Sequence, residues 1–149
     1  MRAPTFHPVV KNYLTTQPET MLLNIKLKKG ANMPRKAHNS DAAFDLYAHS
    51  VKYEDGLLVI GTGVHIEVPK GHVGLVFPRS SITKTIHRMA NCVGVIDPGF
   101  TGEIVVKYDS TYNTDLRRYH VGDRCAQILF LKTLDVQFAE VEELAESQR

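Results

Sequence analysis

Apolar and polar residues alternate along this chain in short runs. In LLNIKLKK, Leu23, Ile25 and Leu27 fall on one side and Asn24, Lys26 and Lys28 on the other. A period of two predicts a half-buried strand. VHIEVPKGH repeats it, with Val64, Ile66 and Val68 inward, His65 and Glu67 outward, and a Pro69-Lys70-Gly71 turn at its end. VGLVF follows, with Val73, Leu75 and Phe77 assigned inward. EIVVKY (Glu103 to Tyr108), AQILFLK (Ala126 to Lys132) and LDVQFAEV (Leu134 to Val141) complete the series. Asp55-Gly56 marks a hairpin between Tyr53 and Leu57. One stretch has a helical period instead. SSITKTIHRM, Ser80 to Met89, places Ile82 and Ile86 at i, i+4 behind Ser80 or Ser81 as a cap. Many short strands with close turns and one short helix predict an all-β domain, a barrel or a double-sheet jelly roll.

Residues 1–20 carry Pro4, Pro8 and Pro18 without a period and predict an irregular arm ahead of a β domain spanning 21–149. The closing AEVEELAESQR turns acidic and reads as chain leaving the domain surface.

Composition narrows the class. A chain of 149 residues suggests one domain, long enough to bury a core without disulfides or metal. A formal charge of +2 provides no field for nucleic acid or a membrane surface. No apolar run approaches the roughly 18 residues of a membrane span, and the N-terminus lacks the apolar core of a secretory signal. A cytoplasmic protein that binds neither membrane nor nucleic acid is expected. Cys92 and Cys125 sit in apolar contexts without CxxC or CxxH spacing, and are expected to be buried free thiols. The 7 histidines form no HxH or HxxxH pair; surface or loop positions are expected for most, and structural zinc is disfavoured.

Four segments concentrate polar residues at strand ends or turns: SDAAFDLYA with Asp45, FPRSSI with Arg79, Ser80 and Ser81, NCVGVIDPGFTGEI with Asp97, and GDRCAQILF with Asp123, Arg124 and Gln127. Taken singly, each reads as a turn or cap, and Asp97 before Pro98-Gly99 suits the first position of a β-turn. Taken together they suggest more. An arginine and paired serines at a helix start attract an anion. Acids nearby can hold Mg²⁺, directly or through its waters. One further acid can take a proton from water. Those are the parts for chemistry on a nucleoside triphosphate.

In this order the four segments resemble the first four motifs of the trimeric dUTP pyrophosphatases (dUTPases), over about Met21 to Arg149. SDAAFDLYA is similar to the family's Ala-Gly-Tyr-Asp-Leu, and FPRSSI to its Pro-Arg-Ser-Ser/Gly. NCVGVIDPGFTGEI is similar to its Asn-x-x-Gly-x-Ile-Asp-x-x-Tyr-x-Gly hairpin, and GDRCAQILF to its Gly-Asp-Arg-x-Ala-Gln strand. The resemblance implies a distorted jelly roll that assembles as a homotrimer with active sites between subunits. It implies hydrolysis of dUTP to dUMP and pyrophosphate with Mg²⁺. Asp97 would deprotonate the water that attacks the α-phosphorus. Arg79, Ser80, Ser81 and Gln127 would contact the phosphates, and Asp45 would approach the metal through water. Asn91, Gly94 and Ile96 would line a uracil slot, and Phe100, in the family's Tyr position, would lie against deoxyribose.

Two departures stand out. The family has a fifth motif, a mobile Gly-rich tail carrying a Phe, and Arg149 resembles its first residue. Asp97-Pro98-Gly99-Phe100 also occurs in dCTP deaminases of the same fold, but the position of their catalytic Glu is Lys107 here, which disfavours deamination. A nucleotide-sensing or partner-binding protein on the same scaffold is the non-enzyme alternative.

Overall fold

The computed structural model describes residues 20–85, 87–109 and 118–147. The arm expected over residues 1–20 therefore lies outside the described residues except for Thr20.

Among the described residues, ten short strands form three antiparallel sheets. β1 (Asn24–Leu27) pairs with β5 (Val64–Glu67). A four-stranded sheet runs in the order β2 (Phe44–Tyr47), β10 (Arg124–Lys132), β6 (His72–Phe77), β8 (Gly94–Ile96). A second runs β3 (Ser50–Glu54), β4 (Leu57–Gly61), β9 (Val105–Asp109), β7 (Arg88–Met89). Neighbours in each sheet are mostly distant in sequence, as a jelly roll requires. Leu46, Ile128 and Val76 of one sheet and Leu58, Ile60 and Val106 of the other belong to one buried core. The β3–β4 hairpin turns at Asp55 (φ 50°) and Gly56 (φ 80°). Two successive positive φ angles are the mark of a type I′ turn, whose twist matches that of the flanking strands.

Where only one face of a strand is apolar, the period of two reports its orientation. Val64, Ile66 and Val68 are buried, as expected. In β6 the expected orientation is inverted: Gly74 and Val76 are buried, while Val73, Leu75 and Phe77 are half-buried on the outer face. Both faces of VGLVF are apolar, so alternation cannot orient it. Val95 lies opposite Leu75, and Leu129 faces Leu75 from the other side, so this outer face is apolar across three strands.

Two expected elements differ. The helix predicted over Ser80 to Met89 is a 3₁₀ turn, η1, Ser80–Lys84, whose N-cap is Arg79 and which has no side-chain cap bond. Ile82, Thr83 and Thr85 are β-branched and weaken a helix, and pairing with β9 draws Arg88 and Met89 into a strand. The predicted strand LDVQFAEV has no partner among the described residues. Residues 133–140 take no regular structure, and Leu134 and Phe138 are 88% and 96% exposed.

Cys125 is buried as expected, but Cys92 is exposed, at φ 57° in the loop between β7 and β8. His87 departs from the surface expectation. It is buried, stacked on Tyr119 at 5.6 Å and tilted toward Tyr108 at 6.1 Å. No helix among the described residues is long and apolar enough to cross a membrane.

Candidate functional site

The first cluster forms on one rung of the β2-β10-β6 sheet. Gln127 pairs with Asp45 on one side and with Phe77 on the other. Two residues past Phe77, the chain turns out through Pro78 to Arg79. Asp45 is only 8% exposed, a costly place for an acid without partners. It has two. Arg79 Nε donates to its Oδ1 at 2.6 Å, and an Arg124 terminal nitrogen donates to its Oδ2 at 3.2 Å. Its backbone is held as well, by reciprocal bonds with Arg35. A second Arg79 nitrogen donates to Ser81 Oγ at 3.2 Å, and the Gln127 amide donates to the Pro78 carbonyl at 2.9 Å.

Arg124 stands in the fourth polar segment of the sequence, but no role is assigned to it there. It is three residues from Gln127, which simple alternation puts on the opposite face. A β-bulge resets the phase: Arg124 opposes Tyr47, but Ala126 already opposes Leu46. The extra residue, Cys125, brings Arg124 onto the face of Gln127 and Asp45. Arg79, Lys84 and Arg124 then line a cavity of about 520 Å³ with Ser81, Thr85 and Asp123. Its pull on an anion comes from these three cations. A 3₁₀ turn of five residues adds little dipole, and Ser80 stands exposed at its start.

The second cluster lies elsewhere in the chain. Asn91, Gly94, Ile96, Asp97 and Phe100 fall between β7 and β9. The expected hairpin is instead a corner between sheets. β8 pairs with β6, whereas β7 and β9 pair with each other in the other sheet. Gly94 is packed so that an added Cβ would sit 3.2 Å from Val76 Cβ and 3.7 Å from the Asn91 amide nitrogen. Ile96 turns its side chain into the core, so only its backbone can face a ligand. Asp97 is exposed at the strand end, where its carbonyl accepts from the Phe100 N–H at 3.2 Å. With Pro98 next and Gly99 at φ 86°, this is the type II turn that Asp-Pro-Gly favours.

Within one chain Gly94 lies beside Val76, near Arg79, whereas Asp97 lies toward the far end of β6. Ile96 pairs with Gly74, near the start of β6, whereas Arg79 follows its end. At about 3.3 Å per residue the run from Gly74 to Arg79 covers roughly 17 Å. That is farther than the three linked phosphates of one nucleotide reach.

Mg²⁺ is the metal implied by the motifs, and Asp45 tests its fit. Both Asp45 oxygens are taken by guanidinium groups, and no three His, Cys, Asp or Glu converge among the described residues. Direct ligation does not fit. Each carboxylate oxygen keeps a second lone pair, so contact through a metal-bound water does.

A double-sheet all-β fold, an acid at a strand-end turn and a cationic cavity point to a nucleotide hydrolase of the dUTPase type. The dUTPase family profile matches residues 29–149, and the chain belongs to that family. It is 38% identical over 130 residues to the deoxyuridine 5′-triphosphate nucleotidohydrolase of Nocardia farcinica, covering 83% of this chain and 77% of the relative. To the enzyme of the same name from Mycobacterium bovis it is 37% identical over 131 residues, covering 86% and 85%. Among solved structures it is similar to the dUTPase of Staphylococcus bacteriophage 80alpha with dUpNHpp, at TM-score 0.70 and 25% identity over 87% of this chain and 94% of that one. It is also similar to the dUTPase from phage phi11 of S. aureus, described with a structural Mg(II) ion, at TM-score 0.68 and 25% identity over 83% and 98%.

Proposed function

We propose that this protein hydrolyses dUTP to dUMP and pyrophosphate, limiting uracil incorporation into DNA and supplying dUMP for dTMP synthesis. The observation that carries the reading is the corner between β7 and β9. It brings the backbone of Asn91 and Gly94, an acid at Asp97 and an aromatic ring at Phe100 into one short segment. Uracil presents an acceptor at O4 and a donor at N3, which suit backbone N–H and C=O groups. Cytosine reverses both and leaves buried groups unpaired. A close approach of the base to the Gly94 backbone excludes thymine's methyl by shape.

Asp97 accepts a proton from water as that water's oxygen attacks the α-phosphorus in line and the bond to the bridging oxygen breaks. Its turn holds it at fixed reach, as a general base requires. Arg79, Ser80, Ser81 and Gln127 hold the phosphates, and Arg124 joins them. When bound, Mg²⁺ neutralises charge on the triphosphate. Asp45 would hold it through a metal-bound water.

The separation of Asp97 from Arg79 within one chain supports a composite site, with Asp97 from one subunit and Arg79 from another. A homotrimer provides this. The apolar outer face at Leu75, Val95 and Leu129 and the exposed Leu134, Val136 and Phe138 support burial against further copies. A pyrophosphate-release assay with dUTP, dCTP, dTTP and UTP tests the activity, and dUTP alone is the expected substrate. Reassembling Asp97→Asn with Arg79→Ala subunits tests the composite site. Mixed assemblies regain turnover if the two residues act across an interface, and stay inactive if they act within one chain.

A further inference from the structure

We propose that Gly102 is a specificity-determining position: its bare backbone is the seat on which the Phe100 ring rests, and this seat fixes the ring's pose against the sugar. The inference rests on the reading of Phe100 as the deoxyribose ring. An ideal Cβ at Gly102 would lie 2.7 Å from Phe100 Cζ, 2.9 Å from Cε2 and 3.5 Å from Cε1. The three nearest atoms thus belong to one ring, which lies directly on the glycine. Carbon atoms pack at about 3.5–4.0 Å, so a methyl and the ring cannot both occupy this place.

The backbone cannot yield to relieve the clash. The Phe100 N–H is bonded to Asp97, and His65 Nδ1 donates to the Thr101 carbonyl at 3.0 Å. Glu103 accepts from the Gly63 N–H at 2.7 Å and pairs with Lys28. Ile104 is bonded to Val64 and Thr62. The ring can yield, since it is 42% exposed and no described contact pins its outer edge. Phe100 also lacks the phenol oxygen that would give the ring a polar anchor, so shape alone orients it. Gly102 does not sit at a positive φ, so alanine suits its backbone. The substitution therefore moves the ring and leaves the fold.

The test measures kcat/KM for dUTP and UTP, with melting temperature, in Gly102→Ala, Phe100→Ala and the double variant. Gly102→Ala is expected to lower the dUTP-over-UTP preference at least about tenfold. The double variant is expected to match Phe100→Ala, because the atoms the methyl meets first belong to the ring. If Phe100→Ala loses the preference while Gly102→Ala keeps it, the seat is refuted and the reading of Phe100 stands. If neither variant loses it, the reading of Phe100 fails and the seat falls with it. If Gly102→Ala lowers the melting temperature, recovery in the double variant supports the clash with the ring. Failure to recover locates the obstruction in the backbone and overturns the proposal.

Discussion

Arg79 and Asp45, 34 positions apart in sequence, are joined by a 2.6 Å hydrogen bond from Nε to Oδ1. The bond leaves the outer nitrogens of the guanidinium to Ser81 and the cationic cavity. Asp45 thus orients one arginine and, through Oδ2, steadies a second.

Asp45→Asn keeps the shape and removes the charge. Breaking a buried pair costs about 3–5 kcal/mol, but Arg124 is half-exposed, so about 1–3 kcal/mol is expected. Urea unfolding measures it. Both guanidinium groups lose their pose, so KM for dUTP is expected to rise along with a fall in kcat.

Asp97→Asn is expected to lower kcat by about 10²–10⁴, the usual scale of a general base. The carboxylate is exposed and the turn uses the backbone carbonyl, so stability should stay within about 0.5 kcal/mol. Calorimetry with a non-hydrolysable dUTP analogue should show binding retained.

His87 makes the fold acid-sensitive. Burial lowers its pKa below the ordinary 6.5; the Asp109 carbonyl opposes this weakly, and Arg118 adds to the lowering. The unfolded chain then binds a proton that the folded chain refuses. Stability contributed by the neutral ring is complete above pH 6.5 and is lost as pH falls below it, with a slope of up to about 1.4 kcal/mol per pH unit. His87→Phe keeps the stack on Tyr119 and removes that dependence. Urea midpoints at several pH values between 5 and 8 check it.

Tyr108 is fully buried, and its hydroxyl donates to the Cys125 carbonyl at 2.6 Å. Tyr108→Phe is expected to cost about 1–3 kcal/mol, the penalty for leaving a buried carbonyl unsatisfied. A fall in melting temperature with unchanged dUTP preference would be the signature.

The two thiols should separate in a labelling experiment. Burial pushes Cys125 up to about 12, while Cys92 is exposed. A thiol reagent at pH 8 is expected to modify Cys92 rapidly and Cys125 only on unfolding.

Alternation, turn residues and motif order were enough to determine an all-β chain, the Asp55-Gly56 hairpin, the inward face of Val64, Ile66 and Val68, and the dUTPase family. These are local properties: a period of two reports one buried face, and Asp-Gly or Pro-Gly reports the backbone angles a turn needs. Tertiary structure decided the rest. β6 is apolar on both faces, so only its neighbours could orient it. Ser80 to Met89 satisfied a helical period, yet a strand pairing claimed Arg88 and Met89. LDVQFAEV alternates like a strand but has no partner among the described residues. Arg124 reached Asp45 only because a bulge shifted its register, and the Phe100 ring met Gly102 only because distant bonds from His65, Gly63 and Val64 hold the chain between them. Such contacts depend on which strands lie side by side, and no local pattern records that.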